Sequence, residues 1–170
     1  RLEITEEEYL DIIRSKTAVL FQGACRVGAL IAAASRSATD ALSEYGLNLG
    51  MAFQMTDDLL DYTADVGALG KRIGTDLKEG KLTLPLIQAL QNAKGQDRID
   101  MVTIISDNNF SADDFQKLVS LLQHCGGIDY THQQAEKHIN RARAAIDMFP
   151  SSEAKEILMN IAAYALLRNQ

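Results

Sequence analysis

Apolar side chains recur every three or four residues along most of this chain, which is the spacing of an amphipathic α-helix. The pattern predicts a first helix that starts at Thr5 and runs to about Ala34. Thr5 and Glu8 have the spacing of a capping box, in which each side chain accepts a hydrogen bond from the other residue's backbone N–H. A second helix is expected to begin within 37–40 and to continue to about Tyr62.

The remainder of the chain predicts four further helices, over about 83–93, 111–124, 130–148 and 152–167. Pro85 lies in the first turn of one of them, where proline is tolerated, and Gly126 and Gly127 mark the end of another. No segment of five or six residues alternates between polar and apolar side chains as a strand does. The sequence therefore predicts an all-α protein.

The segment 64–81 lacks the apolar period and is rich in glycine and in positive charge. It contains Gly67, Gly70, Gly74, Gly80, Lys71, Arg72, Lys78 and Lys81. We expect a loop here, and a loop of this length is typical of functional segments. Gly46 and Gly50 lie four residues apart inside the second helix and indicate the close approach of another helix or of a ligand.

The 170 residues, 46% of them apolar and 24% charged, suit a single globular domain that buries a core. The net charge of −6 excludes a broadly basic nucleic-acid-binding surface but allows a local anion pocket. Cys25 and Cys125 lack a metal-binding spacing and are interpreted as reduced thiols. No apolar run reaches the ~18 residues of a membrane span, and the acidic first ten residues do not form a signal peptide. These features predict a cytoplasmic protein.

Four polar side chains converge on one face of the second predicted helix. At about 100° per residue, that face carries Gln54, Asp57, Asp58 and Asp61. Converging carboxylates repel one another and raise each other's pKa unless a cation lies between them. Oxygen ligands of this kind suit Mg²⁺, which usually takes one or two protein carboxylates and completes its shell with phosphate oxygens. The face therefore predicts a metal–phosphate site.

An acidic helix face is in most proteins only a solvated surface, so its surroundings decide the interpretation. The Gly-rich segment that follows supplies Lys71 and Lys81, which could hold the anion that a metal would bridge. Upstream, Lys16 and Thr17 interrupt a mostly apolar helix, although a lysine there could simply extend its ammonium group to solvent. Together the three features point to a diphosphate bound through Mg²⁺.

Three motifs, in this order, resemble those of the trans-prenyl diphosphate synthases. They are Tyr9-x-x-Ile-x-x-x-Lys16-Thr17-Ala18, then Phe53-Gln54-x-x-Asp57-Asp58-x-x-Asp61, then Gly70-Lys71 with Gly74-x-Asp76-Leu77-x-Glu79-Gly80-Lys81-x-Thr83-Leu84-Pro85. The second resembles the second aspartate-rich region of that family. The Glu-Gly-Lys-x-Thr-Leu-Pro form is most similar to the bacterial long-chain, octaprenyl-type synthases.

The resemblance implies a role for each matching residue. The metal site would comprise Asp57 and Asp61, with Asp58 supporting orientation and charge. The allylic diphosphate would be held by Lys16, Lys71 and Lys81, with Asp76 as a partner of the loop lysines. The carbocation would face Thr17 and Gln54. In this chemistry isopentenyl diphosphate attacks the allylic cation left by departing diphosphate, so no protein nucleophile is needed.

The family's first aspartate-rich motif has no counterpart in this sequence. Asp113 and Asp114 lack the spacing and are interpreted as acidic residues that complement a helix N-terminus. We therefore interpret residues 1–170 as one domain: the C-terminal half of a class I isoprenoid synthase helical bundle, cut at Arg1 and inactive alone. The full-length enzyme is expected to be a homodimer. The alternative is a non-catalytic helical subunit that regulates a heteromeric synthase; a terpene cyclase or head-to-head condensing enzyme is disfavoured by the Lys-Thr and Gly-Lys motifs.

Other residues that could carry chemistry receive structural interpretations. The three histidines, His124, His132 and His138, are expected at the surface or at a helix C-terminus. The apolar residues flanking the motifs are expected to pack in the core: Phe21, Met51, Phe53 and Met55.

Overall fold

The computed structural model describes residues 4–63, 74–107 and 109–167. Within these ranges every regular element is helical: α1 (Glu6–Ile13), a π-helical turn (Arg14–Ala18), α2 (Val19–Ile31), α3 (Arg36–Thr63), α4 (Thr75–Lys78), α5 (Leu84–Asn92), α6 (Gly95–Ser106), α7 (Ala112–His124), α8 (Gly127–Ala145) and α9 (Glu153–Leu167). The predicted all-α class is confirmed. None of the helices in these ranges is both long and apolar enough to cross a membrane.

Two helices start with the capping chemistry that their sequence contains. Before α1, the Thr5 backbone nitrogen donates to Glu8 Oε2 at 2.8 Å and the Glu8 nitrogen donates to Thr5 Oγ1 at 3.2 Å. Before α7, Ser111 and Asp114 exchange the same pair of bonds at 3.0 and 3.1 Å. Asp114 therefore lies at a helix N-terminus, as the sequence predicts, and the structure adds that it caps this helix through hydrogen bonds.

The structure departs from the predicted elements in four places. The segment predicted to be a loop contains the short helix α4 (Thr75–Lys78), and its residues 64–73 lie outside the described residues. The first predicted helix contains the π-helical turn Arg14–Ala18. The stretch before α7, for which the sequence predicts no element, forms α6, and its N-cap residue Lys94 makes no side-chain capping bond that could have marked its start. Helix α8 begins at Gly127 rather than near Tyr130. A side chain at Gly127 would overlap the carbonyl oxygen of Pro85, so glycine is required at this position.

The chain divides into two compact units. The first unit comprises Arg1–Tyr9 and Asp57–His132. Its core is apolar and includes the fully buried side chains of Leu59, Leu86, Met101, Leu118 and Leu122. This core holds the last turns of α3 beneath the predicted acidic face.

The second unit comprises Leu10–Thr56 and Gln133–Arg168. A side chain at Gly46 would lie 2.5 Å from the Phe21 carbonyl oxygen, and one at Gly50 would lie 2.6 Å from Ala18 Cα. The predicted close approach at the two glycines is therefore confirmed, and a neighbouring helix causes it. Met51 and Met55 are buried, as expected.

Large apolar side chains are also exposed in the second unit. They lie mainly on α2 and α9: Val19, Leu20, Val27, Leu30, Ile31, Ile157, Ile161, Tyr164 and Leu167. The two cysteines are free thiols, as expected.

Candidate active site

The three aspartates of the acidic motif lie in the last turns of α3 but differ in burial. Asp57 and Asp61 are half-buried, whereas the Asp58 residue is only 5% exposed. Asp57 and Asp61 are one helical turn apart and share a face, as the spacing predicts. Asp58 lies in the interior of the first unit, so the three carboxylates have different surroundings.

Asp58 is hydrogen-bonded to a buried tyrosine. The Tyr9 hydroxyl donates to Asp58 Oδ2 at 2.7 Å, and Tyr9 is 3% exposed. Burial, and then the negative charge of Asp58, raise the pKa of the Tyr9 phenol well above its ordinary value. The phenol therefore keeps its proton and acts as a donor.

Asp61 caps the short helix α4. Its Oδ1 accepts from the backbone nitrogen of Thr75 and its Oδ2 accepts from that of Asp76, each at 3.1 Å. The residue before α4, Gly74, offers no side chain for this purpose and has a positive φ of 68°. Asp61 therefore satisfies two of the amides that a helix start leaves without partners.

Two aromatic rings cover Gly74. A side chain at this position would lie 2.8 Å from the Phe115 ring and 3.4 Å from the Phe110 ring. The rings of Phe110 and Phe115 are stacked with centroids 6.1 Å apart, and the Lys78 ammonium lies 5.3 Å from the Phe110 ring centroid. Glycine is thus needed here both for its φ and for its lack of a side chain.

Lys81, one of the predicted diphosphate-binding residues, lies beside two carboxylates. Its Nζ is 3.0 Å from Asp76 Oδ1 and 2.6 Å from Glu79 Oε2. These two contacts, with Glu79 first, raise the pKa of Lys81 above its ordinary value. Asp76 is a partner of a loop lysine, as expected, and it is joined through its backbone to Asp61. Lys71, the other predicted loop lysine, lies outside the described residues.

In the second unit, Thr17 and Gln54 form a direct pair. Thr17 Oγ1 donates to Gln54 Oε1 at 2.7 Å, and Gln54 is buried. Thr17 lies in the π-helical turn, a feature that frequently marks functional positions. Lys16 lies in the same turn and is exposed to solvent.

The two phenylalanines expected to pack in the core are half-buried and line a cavity of the second unit. Phe21 and Phe53 are in contact, with ring centroids 5.3 Å apart. The cavity has a volume of about 330 Å³ and is lined by apolar and aromatic side chains: Phe21, Leu49, Phe53, Ile161, Tyr164 and Ala165. Both rings therefore present apolar surface to an open space as well as to each other.

His138 is half-buried rather than exposed and has a specific partner. Its Nδ1 lies 2.8 Å from Asn48 Oδ1. Asn48 Nδ2 donates to the backbone oxygen and to Oε1 of Glu44, which directs its amide oxygen toward the imidazole. Burial lowers the pKa of His138. His124 and His132 are exposed and half-buried, respectively.

The donor chemistry of the acidic motif suits a hard divalent cation that is shared with a phosphate ligand. Asp57 and Asp61 offer two carboxylate groups on one face of α3. Mg²⁺ commonly takes one or two carboxylates as protein ligands. Within 4–63, 74–107 and 109–167, no cluster of three or more His, Cys, Asp or Glu side chains forms a metal cage. Two carboxylates leave most of the coordination positions of such a cation to other oxygen ligands.

Sequence reasoning missed two features of the site. The contact between Tyr9 and Asp58 joins residues 49 positions apart, and its only signal was a tyrosine on the apolar face of a helix. The π-helical turn at Lys16 and Thr17 interrupts a segment whose apolar spacing is continuous, so no pattern marked it.

Known proteins share both the sequence and the fold. The Polyprenyl synthetase family model matches residues 1–122. Octaprenyl diphosphate synthase of Escherichia coli is 37% identical over 168 residues, which cover 99% of this chain and 52% of that protein. Short chain isoprenyl diphosphate synthase of Methanothermobacter thermautotrophicus is 36% identical over 172 residues, covering 99% of this chain and 51% of that protein.

Solved structures of prenyl synthases share the fold of this chain. Polyprenyl synthase of Caulobacter crescentus CB15, complexed with calcium and isoprenyl diphosphate, has a TM-score of 0.92 and 36% identity, covering 100% of this chain and 52% of that chain. This chain thus spans about half the length of the relatives that it matches. The resemblance carried by the three motifs is confirmed, and the chain belongs to the polyprenyl synthetase family.

Proposed function

We propose that this chain carries the second aspartate-rich part of a trans-prenyl diphosphate synthase, which condenses an allylic diphosphate with isopentenyl diphosphate. The observation that carries the proposal is the bonding of Asp61 to the start of α4. Through it, the acidic face and the segment that bears Asp76 and Lys81 form one connected arrangement. Carboxylates for a divalent cation and an ammonium group for its anion are what a metal-bound diphosphate requires.

The roles follow the chemistry of each side chain. Asp57 and Asp61 would hold Mg²⁺, and Asp58 would support the charge and orientation of this pair. A bound Mg²⁺ supplies positive charge that stabilises the departing diphosphate. Diphosphate oxygens would be bound by Lys16, Lys71 and Lys81.

The Thr17 and Gln54 pair suits the cationic end of the substrate. An oxygen dipole stabilises a neighbouring positive charge without forming a bond to it. The hydrogen bond from Thr17 fixes the amide of Gln54, so these dipoles are arranged before the cation forms. The proposal thus assigns leaving-group and cation stabilisation to different side chains.

The chain is further proposed to be the C-terminal half of a one-domain synthase that is inactive by itself. The half-length match to relatives and the exposed apolar side chains of α2 and α9 support this proposal. A homodimeric, cytoplasmic full-length enzyme with a long-chain product belongs to the same proposal; one relative at 37% identity is an octaprenyl diphosphate synthase. The regulatory-subunit alternative is disfavoured, because such a subunit has no need of the acidic and lysine residues.

Isopentenyl transfer by the full-length gene product tests the function. Labelled isopentenyl diphosphate is supplied with allylic diphosphates and Mg²⁺, and prenyl products are extracted and counted. Asp57 would hold the Mg²⁺ that stabilises the negative charge of the departing diphosphate. Asp57→Ala is therefore expected to lower turnover by about 100-fold or more. Asp113→Ala, which removes an exposed carboxylate at the start of α7, is the matched control. Undiminished turnover in Asp57→Ala would contradict the catalytic proposal.

A further inference from the structure

Tyr9 and Asp58 form a buried contact between α1 and the acidic motif. Both belong to the first unit, their exposed fractions are 3% and 5%, and the phenol oxygen lies 2.7 Å from Asp58 Oδ2. A distance this short is typical of a hydroxyl that donates to a charged carboxylate. None of the roles proposed above uses Tyr9.

A buried carboxylate requires donors, because its charge loses hydration on burial. The Tyr9 ring is itself enclosed, so its hydroxyl has little freedom to move away from Asp58. The contact therefore fixes one oxygen of Asp58 and, with it, the rotamer of the whole carboxylate. On α3, Asp58 is adjacent to Asp57 in sequence and three residues before Asp61. The orientation of its carboxylate therefore affects the electrostatic potential at those two residues.

We infer that Tyr9 is a positioning residue of the divalent-cation site: by holding the Asp58 carboxylate, it sets the cation affinity of the acidic motif without touching cation or substrate. The inference rests on the proposed function, since it requires Asp57 and Asp61 to hold the cation. Replacing a residue that orients metal ligands through hydrogen bonds commonly changes the metal affinity by 10- to 100-fold.

The test is the replacement Tyr9→Phe in the full-length gene product, which removes only the hydroxyl. Mg²⁺ affinity is measured by calorimetry in the presence of inorganic diphosphate, so the readout does not depend on turnover. We expect the dissociation constant to rise at least 10-fold. In assays of isopentenyl transfer, the Mg²⁺ concentration for half-maximal rate is expected to rise more than kcat falls.

Tyr45→Phe is the matched control for loss of a buried hydroxyl. Tyr45 is 1% exposed, and its hydroxyl donates to the Leu158 backbone oxygen at 2.8 Å, within the second unit. Its replacement is expected to lower the melting temperature about as much as Tyr9→Phe and to leave Mg²⁺ affinity within twofold.

A double-mutant cycle separates action through Asp58 from a general structural effect. In an Asp58→Asn background, Tyr9→Phe is expected to change Mg²⁺ affinity by less than about twofold, because the carboxylate it positions is gone. Multiplicative effects of the two replacements, equal affinity in wild type and Tyr9→Phe, or no Mg²⁺ binding by wild type would each overturn the inference. Failure of isopentenyl transfer together with intact, Tyr9-dependent cation binding would overturn the proposed function alone.

Discussion

The carboxylate of Asp61 accepts a hydrogen bond from the backbone nitrogen of Asp76 at 3.1 Å, and the carboxylate of Asp76 in turn lies 3.0 Å from Lys81 Nζ. The Asp61 side chain, whose charge suits a metal site, therefore also holds the backbone at the start of α4. The acidic motif and the lysine-bearing segment are consequently coupled through α4, and a change at one is expected to reach the other.

Removing the Asp61 carboxylate is expected to loosen the start of α4. Asp61→Ala deletes both acceptors, and loss of a helix cap costs about 1 kcal/mol. Hydrogen exchange at the amides of Thr75 and Asp76 should therefore accelerate about fivefold, as measured by mass spectrometry of the corresponding peptide. Asp61→Asn, which keeps one acceptor oxygen, should give a smaller increase. Unchanged exchange in Asp61→Ala would show that the cap contributes nothing.

Gly50→Ala should destabilise the protein, because the added methyl group would lie 2.6 Å from Ala18 Cα. Overpacking of this kind typically costs about 1–3 kcal/mol. Gly23→Ala is the control, since a side chain there would meet nothing within 4 Å and alanine favours a helix by about 1 kcal/mol. Urea unfolding monitored by circular dichroism should thus give opposite signs for the two variants. Equal effects would mean that helix approach at Gly50 does not limit stability.

Thr17→Val removes the donor to Gln54 while preserving side-chain shape. A hydrogen bond of this type contributes about 1 kcal/mol, so kcat/KM for isopentenyl transfer is expected to fall about fivefold in the full-length gene product. Thr39→Val, which removes a buried hydroxyl that donates to the Ser35 backbone oxygen, should leave kcat/KM unchanged. A comparable loss in both variants would assign the effect to stability rather than to Gln54.

His138 predicts a fall in stability on acidification. Burial lowers its pKa in the folded state, with Arg141 acting in the same direction and Glu44 opposing it. Below the ordinary histidine pKa of about 6.5, the unfolded chain binds a proton that the folded chain resists. The free energy of unfolding should therefore fall as the pH drops through this range, by at most about 1.4 kcal/mol per pH unit.

Urea unfolding of wild type and His138→Gln between pH 7.5 and 5 measures this contribution. The wild type should lose more stability than His138→Gln over that range, whereas the contribution is absent above the ordinary histidine pKa. His124→Gln, which replaces an exposed histidine, provides the comparison. Parallel pH profiles for wild type and His138→Gln would exclude a role for this imidazole.

The features predicted correctly from sequence depend on residues close together in the chain. The capping pair Thr5–Glu8 is three residues apart, and its geometry follows from backbone spacing alone. The contact of Tyr9 with Asp58 spans 49 positions and exists only because the folded core brings α1 to α3. The partner of His138 was not predicted for the same reason, since Asn48 is 90 positions away.

The stacked rings of Phe110 and Phe115 over Gly74 have a spectroscopic consequence. The sequence contains no tryptophan, so a single indole introduced as Phe110→Trp would fluoresce without background. Its emission would come from the ring that lies against Gly74 and beneath the Lys78 ammonium. Undocking of α4 would expose that indole to water and shift its emission to longer wavelength. The emission wavelength would therefore report whether the lysine-bearing segment is docked.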